Sequence, residues 1–188
     1  MGVHMTQPLR IVTVDCDRER YRDLLLLADE QWDMVELYLN QGEMFATYAW
    51  VDSAGVSSVA PGFALASETD PIPYICPDAV LGCMIVADEG IDEAGLRIAE
   101  VKNLAVTMGF QRHGVGRALL DFAAARYAPT HDALQVGTGD SPLTVPFYEA
   151  CGFTRSHVLP NFFIENYDHP IVEAGVQLKD MVILERRL

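Results

Sequence analysis

The chain has 188 residues, half of them hydrophobic, which is enough to build a core of its own. It carries 27 acidic against 13 basic residues, a formal net charge of −14. This balance argues against non-specific nucleic-acid binding, which needs a basic surface. It is typical of a well-solvated protein, and it would also steer a cationic ligand.

Cysteine usage and the apolar runs indicate the setting. The four cysteines form no C-x-x-C pair and match no zinc spacing, so we expect free thiols and no metal. The N-terminus lacks the apolar region of a signal peptide, and no apolar run approaches a membrane span. We therefore expect a cytoplasmic protein with no membrane partner.

The N-terminal half predicts a strand, a helical stretch and a second strand. Residues 9–15 ("LRIVTVD") alternate as a strand does. The stretch from Asp17, a predicted N-cap, to Gly42, a predicted stop, forms one or two helices. Residues 44–52 ("MFATYAWVD") read as a second strand. Ser53–Asp78 contains four prolines and no period, which predicts an insertion loop.

The C-terminal half continues with alternating strands and helices. The predicted strands are 79–88, 96–106, 132–138, 161–167 ("NFFIENY") and 180–188, and the predicted helices are 114–127 and 144–153, the latter closed by Gly152. This order predicts one domain over residues 1–188, of the α/β or α+β class, with a single mixed sheet flanked by helices.

The turn "FQRHGVGRALL" joins a strand to a helix. Gly114 and Gly116 lie two apart at the predicted start of that helix. Backbone N–H groups at a helix N-terminus have no partner within the helix and face an anion favourably. Glycine lets the backbone approach such a ligand closely. Arg112 and Arg117 would add charge and His113 a donor, so the turn predicts a phosphate site.

Spacing excludes two familiar phosphate loops. The sequence has no G-x-x-x-x-G-K-[ST], and Leu119 stands where a dinucleotide fingerprint needs its third glycine. On spacing alone, a purely structural helix start remains an alternative.

Two linked motifs make the comparison more specific. "QRHGVG" (111–116) resembles the Q/R-x-x-G-x-G/A signature of the GNAT superfamily of N-acetyltransferases, directly after the apolar strand ending "NLAV". "PFYEACGF" (146–153) resembles the Y-x-x-x-G-F element of the same superfamily. The tail, from Asn161 onward, resembles a bacterial subgroup whose substrates are mostly unassigned. The resemblance implies a mostly antiparallel sheet.

The resemblance also implies acetyl-coenzyme A as co-substrate. Its pyrophosphate would lie on the amides of Gln111, Arg112, His113, Gly114, Val115, Gly116, Arg117 and Ala118. Its pantetheine arm would pair, like an added strand, with Leu104, Ala105 and Val106. Family members usually carry a bulge in this strand, which changes side-chain parity beyond it. We therefore do not predict by alternation which way Glu100 and Asn103 face.

The chemistry calls for an acid, a base and an oxyanion donor. Tyr148 matches the tyrosine of the Y-x-x-x-G-F element and is the expected acid; the alternative is an aromatic anchor. Glu100, on the motif strand, is the expected base; the alternative is an edge-exposed or ion-paired glutamate, with Lys102 as a candidate partner. Val106 would supply the backbone N–H for the carbonyl oxygen.

Where the family usually has an asparagine, this chain has "GDSPLTV". Ser141 would contact coenzyme A there, while Asp140 would cap the helix. Cys151 is expected to pack, because direct transfer needs no cysteine.

The acceptor is the least defined part. Six acidic residues could line a cleft for a cationic amine, although ordinary solvated charge is the alternative for most of them: Glu43, Glu68, Asp70, Glu165, Asp168 and Glu173. Trp32, Tyr48 and Trp50 could form aromatic walls or simply pack in the core. The loop Ser53–Asp78 could form a lid.

The sequence thus predicts an acetyl-coenzyme A-dependent N-acetyltransferase. It would move the acetyl group to a primary amine of a small molecule or protein by direct attack in a ternary complex. The alternatives are a non-catalytic acyl-coenzyme A-binding or sensing module and a transferase of a longer acyl group. The expected partners are the cofactor and an amine that could be cationic; a homodimer stays open.

Overall fold

The structure is a computed structural model that describes residues 9–48, 51–52, 55–56 and 80–188. The predicted loop Ser53–Asp78 lies almost wholly outside the described residues, as do Trp50, Glu68, Asp70 and Cys76. The chain divides into two compact units. Unit 1 comprises residues 1–85 and 103–122, and unit 2 comprises residues 86–102 and 123–188. The single domain expected from the sequence stays a prediction.

Eleven strands and five α-helices are described. The strands are β1 (Arg10–Thr13), β2 (Glu43–Tyr48), β3 (Val51–Asp52), β4 (Gly55–Val56), β5 (Val80–Ile91), β6 (Arg97–Val106), β7 (Ala133–Gly139), β8 (Thr154–Leu159), β9 (Val172–Glu173), β10 (Val176–Gln177) and β11 (Met181–Arg187). The α-helices are α1 (Arg22–Leu25), α2 (Trp32–Tyr38), α3 (Val115–Tyr127), α4 (Thr144–Ala150) and α5 (Phe162–Asn166), and short 3-10 helices cover Arg18–Tyr21 and Met108–Phe110.

Seven strands form one sheet in the order β1-β2-β5-β6-β7-β11-β8. β1 pairs antiparallel with β2, and β11 pairs antiparallel with both β7 and β8. β6 and β7 are parallel, in register from Ile98↔Ala133 to Val101↔Val136. The prediction of a mixed, mostly antiparallel sheet flanked by helices is confirmed.

Unit 1 buries one face of its strands under α1 and α2. Tyr21, Leu25, Val35 and Tyr38 from the helical stretch share a buried cluster with side chains of β2, β5 and β6. Such burial contributes roughly 1.5–3 kcal/mol per large apolar side chain. The helical stretch is shorter than predicted. Asp17 lies at the N-cap position of the 3-10 helix Arg18–Tyr21, as predicted, but its backbone is left-handed and its side chain makes no capping hydrogen bond.

In unit 2 the sequence misassigned one element and missed another. "NFFIENY" is helical (α5), because Asn161 accepts hydrogen bonds from the amides of Ile164 and Glu165. Phe163 and Tyr167, one helical turn apart, pack ring to ring. β8 was not predicted, because all six of its residues are exposed and no apolar alternation marks it.

Candidate functional site

The turn before α3 takes an unusual backbone path. Arg112 has φ 62° and Gly114 has φ 86°, both in the left-handed region. Such residues flanking ordinary ones turn successive N–H groups toward one side, forming a concavity for anions. The first regular bond of the helix runs from Ala118 N–H to Gly114 C=O. The amides of Val115 and Gly116 precede that bond and point out of the helix N-terminus.

The side chains of this turn are exposed. Gln111, Arg112, His113 and Arg117 all face solvent. His113 Nδ1 lies 2.7 Å from the carbonyl oxygen of Gln111, which fixes the imidazole over the turn. The predicted phosphate turn thus brings two guanidinium groups and an imidazole to one exposed loop, in a chain of strongly negative net charge.

The strand before the turn is β6. Along it, the backbone hydrogen bonds of the odd-numbered residues change from the edge facing β7 to the edge facing β5. Arg97 C=O accepts from Asp132 N–H, on the side of β7, at 2.8 Å. Thr107 N–H, ten residues later, donates to Leu81 C=O on β5 at 2.9 Å. In a regular strand these odd-numbered residues would bond to the same edge. An irregularity of the β-bulge kind therefore lies within β6, beyond Val101, where the registered pairing with β7 ends.

This irregularity determines which backbone groups at the end of β6 face away from β5. Ala105 C=O lies toward Gly82 of β5, so the N–H and C=O groups of Leu104 and Val106 face the opposite edge. The Val106 carbonyl accepts from Gln111 Nε2 at 3.2 Å on that edge. The N–H groups of Leu104 and Val106 lie on the same edge, as the predicted pantetheine pairing requires.

Gly82 allows β5, β6 and α3 to approach one another closely. A Cβ added there would lie 2.8 Å from Ala105 O, 3.2 Å from Val115 Cγ1 and 3.3 Å from Leu119 Cδ1. The absence of a side chain on Gly82 thus holds the start of α3 against the strand that precedes the turn.

Glu100, the predicted base, lies in unit 2 in a network of charged and polar groups. Its Oε2 is 3.0 Å from Lys102 Nζ and accepts from Gln135 Nε2 at 3.2 Å. Lys102 also pairs with Glu89 at 2.9 Å. Burial opposes the charge of Lys102, but the bonds to Glu89 and Glu100 outweigh it, and the pKa of Lys102 is raised. The alternative reading of Glu100, an ion pair with Lys102, is therefore present in the structure.

Tyr148, the predicted acid, is buried on α4 between two phenylalanines. Its ring packs against Phe147 and Phe153, with centroids 5.1 and 5.7 Å away. Burial raises the pKa of the Tyr148 phenol, and the charges of Cys151 and Glu173 raise it further. The hydroxyl therefore keeps its proton throughout the neutral range. Cys151 itself is buried, in agreement with its predicted packing role.

The residues before α4 have local partners. Ser141 is buried, and its Oγ accepts from Leu143 N–H at 3.0 Å. Asp140 pairs with Arg155 at 3.1 Å, and Leu143 occupies the N-cap without a side-chain bond. The prediction of Asp140 as a helix cap was therefore wrong. The coenzyme A contact expected of Ser141 stays a prediction.

Several residues proposed for the acceptor have other surroundings. Trp32 lies under the Arg22 guanidinium at 4.2 Å, and Tyr48 is buried beside Tyr21. Glu165 and Asp168 are exposed. Glu173 is half-buried and accepts from Thr144 Oγ1 at 3.4 Å. The roles of these residues at the acceptor stay predictions.

Asn103 is a buried polar residue whose role the sequence left open. Its Nδ2 donates to Leu25 C=O at 3.1 Å and to Tyr38 Oη at 3.0 Å. Tyr38 in turn donates to Asp29 Oδ2 at 2.9 Å. This chain of bonds ties the connection between α1 and α2 to β6. In the sequence, the signal for Asn103 is a polar side chain within an otherwise apolar strand.

Within residues 9–48 and 80–188, no group of three or more His, Cys, Asp or Glu side chains is arranged to hold a metal ion. None of the helices described is both long and apolar enough to cross a membrane.

Comparison with known proteins gives consistent matches. A family model described as an acetyltransferase (GNAT) domain matches residues 65–155. A curated relative, described as the uncharacterised N-acetyltransferase YvbK of Bacillus subtilis strain 168, is 30% identical over 180 residues, covering 95% of this chain and 96% of the relative.

Solved structures with this fold include two acetyltransferases. One is a GNAT family acetyltransferase from Elizabethkingia anophelis with acetyl-CoA bound, with TM-score 0.72 and 25% identity over 96% of this chain and 98% of that one. Another is a Bacillus subtilis acetyltransferase in complex with CoA, with TM-score 0.72 and 28% identity over 96% of this chain and 99% of that one. Together with the turn before α3 and the irregular strand β6, these matches show that the chain belongs to the GNAT family of acetyltransferases.

Proposed function

We propose that this protein transfers the acetyl group of acetyl-coenzyme A to a primary amine. The observation that carries the proposal is the turn Gln111–Gly114. Its two left-handed residues and the N-terminus of α3 follow directly after β6, and such a backbone path favours binding of an anion. The relatives from Elizabethkingia anophelis and Bacillus subtilis, solved with acetyl-CoA or CoA, support the same ligand.

The residues of unit 1 fit this ligand. The amides from Gln111 to Ala118 would hold the pyrophosphate, with Arg112 and Arg117 adding positive charge. The edge groups of Leu104 and Val106 would pair with the pantetheine arm. When bound, acetyl-coenzyme A supplies an acetyl group activated as a thioester.

The acceptor amine must lose a proton before it can attack. A lysine-like amine with a pKa of about 10.4 is neutral in only about one molecule in 10³ at pH 7. Glu100 would accept this proton, directly or through water. Lys102 and Gln135 both contact Oε2 of Glu100, which leaves Oε1 as the oxygen for the proton.

Two further groups would complete the transfer. The N–H of Val106 would stabilise negative charge on the carbonyl oxygen. The new N–C bond forms as the C–S bond breaks, and Tyr148 would give its proton to the leaving sulfur. Burial keeps the Tyr148 phenol protonated at neutral pH, as a general acid must be.

A non-catalytic acyl-coenzyme A-binding module is the second candidate. The ion pair of Glu100 with Lys102 favours it, because a structural glutamate would make the same contact. Such a module would keep the phosphate turn and would not need the acid and base.

An amine panel separates the two candidates. Coenzyme A release is followed for the wild type, for Tyr148→Phe and for the control Tyr167→Phe on a partly exposed tyrosine. We expect Tyr148→Phe to lower kcat about 10²-fold, the lower end of general-acid contributions, with unchanged affinity for acetyl-coenzyme A. Tight binding of acetyl-coenzyme A without turnover of any amine would favour the non-catalytic module.

A further inference from the structure

Three side chains of unit 1 form a polar cluster that the proposed mechanism does not use. Arg20 lies on the 3-10 helix before α1, followed by Tyr21, while Tyr48 ends β2. Arg20 Nη2 donates to Tyr21 Oη at 2.7 Å and to Tyr48 Oη at 3.1 Å. The two phenol oxygens also bond to each other. We call these three residues the Arg–Tyr cluster.

The Arg–Tyr cluster has more donors than acceptors. Nη2 of Arg20 donates to both phenol oxygens, and one phenol donates to the other. The proton of the second phenol finds no acceptor within the described part of the chain. The Nε and Nη1 groups of Arg20 likewise make no hydrogen bond there. Because Arg20 is exposed, water meets its remaining donors, and an acceptor group that arrives from outside can replace that water.

The charge of Arg20 is also uncompensated. No carboxylate of the described residues lies within ion-pairing distance of its guanidinium, although acidic residues outnumber basic ones two to one. By contrast, Arg155 pairs with both Asp140 and Glu149. Burial raises the pKa of Tyr21, so its phenol stays a donor at neutral pH.

The cluster is preorganised and accessible from one side. Tyr21 is 3% exposed and Tyr48 is 6% exposed, so both phenols are fixed by the core. Arg20 stacks over the Tyr21 ring at 4.8 Å and remains exposed. Tyr48 belongs to the same buried cluster as Ala105, which lies between the two residues proposed to pair with the pantetheine arm.

We propose that the Arg–Tyr cluster binds a carboxylate group carried by the acceptor. The guanidinium can form charge-assisted hydrogen bonds with a carboxylate through protons that the phenols do not use, and a phenol proton adds a further donor. The acceptor class is then an amine that also bears a carboxylate, such as an amino acid or its derivative. This narrowing rests on the proposed acetyl transfer, because the amine must reach the thioester.

Matched acceptors test the proposal by activity. Phenylalanine is compared with phenethylamine, and lysine with cadaverine, so that each pair differs only in the carboxylate. The wild type is expected to show the larger kcat/KM for the carboxylate-bearing member. Arg20→Gln should reduce that preference about 10- to 100-fold, mainly through KM, while Arg22→Gln, which removes a nearby charge stacked on Trp32, should preserve it.

Binding without turnover separates this proposal from the proposed function. Calorimetric titration of phenylalanine and phenethylamine into the coenzyme A-loaded protein should show tighter binding of phenylalanine, lost in Arg20→Gln. Tyr48→Phe, which keeps the ring, serves as a second variant if Arg20→Gln does not fold. Carboxylate-dependent binding without acetylation would support the Arg–Tyr cluster and overturn the proposed function.

The opposite outcomes overturn the inference. If the wild type acetylates both members of each pair with equal kcat/KM, the proposed acetyl transfer is retained and carboxylate binding by the Arg–Tyr cluster is refuted. The same conclusion follows if titration shows equal affinities for phenylalanine and phenethylamine, or if Arg20→Gln and Arg22→Gln behave alike.

Discussion

Replacing Gly82 by alanine tests how β6, the strand that we propose to pair with the pantetheine arm, is held against α3. The added Cβ would lie 2.8 Å from the Ala105 carbonyl oxygen, closer than a carbon and a backbone oxygen can approach without displacement. It would also press on Val115 Cγ1 and Leu119 Cδ1, at 3.2 and 3.3 Å. A side chain could rotate away, but the backbone carbonyl of β6 can only shift with its strand.

The cost follows from this geometry. Overpacking of a filled core costs about 1–3 kcal/mol in unfolding free energy. For a chain of this size each kcal/mol lowers Tm by about 2–4 °C, so Gly82→Ala should melt about 2–12 °C lower. Because Ala105 and Val115 both belong to the proposed cofactor site, we also expect the Kd for coenzyme A to rise.

Thermal melts with and without coenzyme A provide the assay, together with calorimetric titration of coenzyme A. Gly109→Ala is the matched control, because a Cβ at Gly109 meets nothing within 4 Å. It should be neutral or slightly stabilising, since alanine restricts the unfolded chain. If Gly82→Ala has the same Tm and the same Kd for coenzyme A as the control, neither stability nor coenzyme A binding depends on the close approach of β5, β6 and α3.

Three further changes test other parts of the site. Gly114→Glu places a strained side chain and a negative charge at φ 86°, and we expect a more than tenfold loss of coenzyme A affinity by calorimetry; an unchanged Kd in a folded variant would contradict the phosphate site. Asn103→Ala removes two buried hydrogen bonds and should lower the free energy of unfolding in urea by about 1–3 kcal/mol. Tyr38→Phe removes only one of these two bonds and should lower it less. Lys102→Met should cost about 1 kcal/mol at pH 7. Because the folded pKa of Lys102 is raised above 10.5, the difference from the wild type should shrink as pH rises through that raised value, and a pH-independent difference would refute the ion-pair explanation.

The turn was predictable because its chemistry is local. Gly114 needs a positive φ, and apolar residues recur with a helical period directly after it, so the start of α3 came out within one residue. The strands 96–106 and 180–188 were likewise clear, because their apolar runs are buried. Local sequence suffices where one residue type and one period decide the backbone.

Other elements depend on partners far away in sequence. The aromatic residues of 161–167 have high strand propensity, yet Phe163 lies in the helix α5 and packs from there against Ile171 and Leu178. β8 forms as an edge strand by pairing with β11, and its own residues carry no apolar signal. In neither segment does the local pattern contain the interaction that decides the structure.

The irregularity in β6 was implied by the family resemblance, but the local apolar pattern does not show it. Buried residues alternate regularly at Ala99, Val101, Asn103 and Ala105, so the apolar pattern carries no mark of the change. Only the backbone bonds, to Asp132 before it and to β5 after it, reveal that the strand has changed edges. The change is what leaves the amides of its last residues on the edge opposite β5, while the Asn103 side chain remains bonded under α1 and α2. A single irregularity thus leaves the backbone groups that we propose for the pantetheine arm on one edge of the strand, while Ala105 packs in the core cluster that also contains Tyr48.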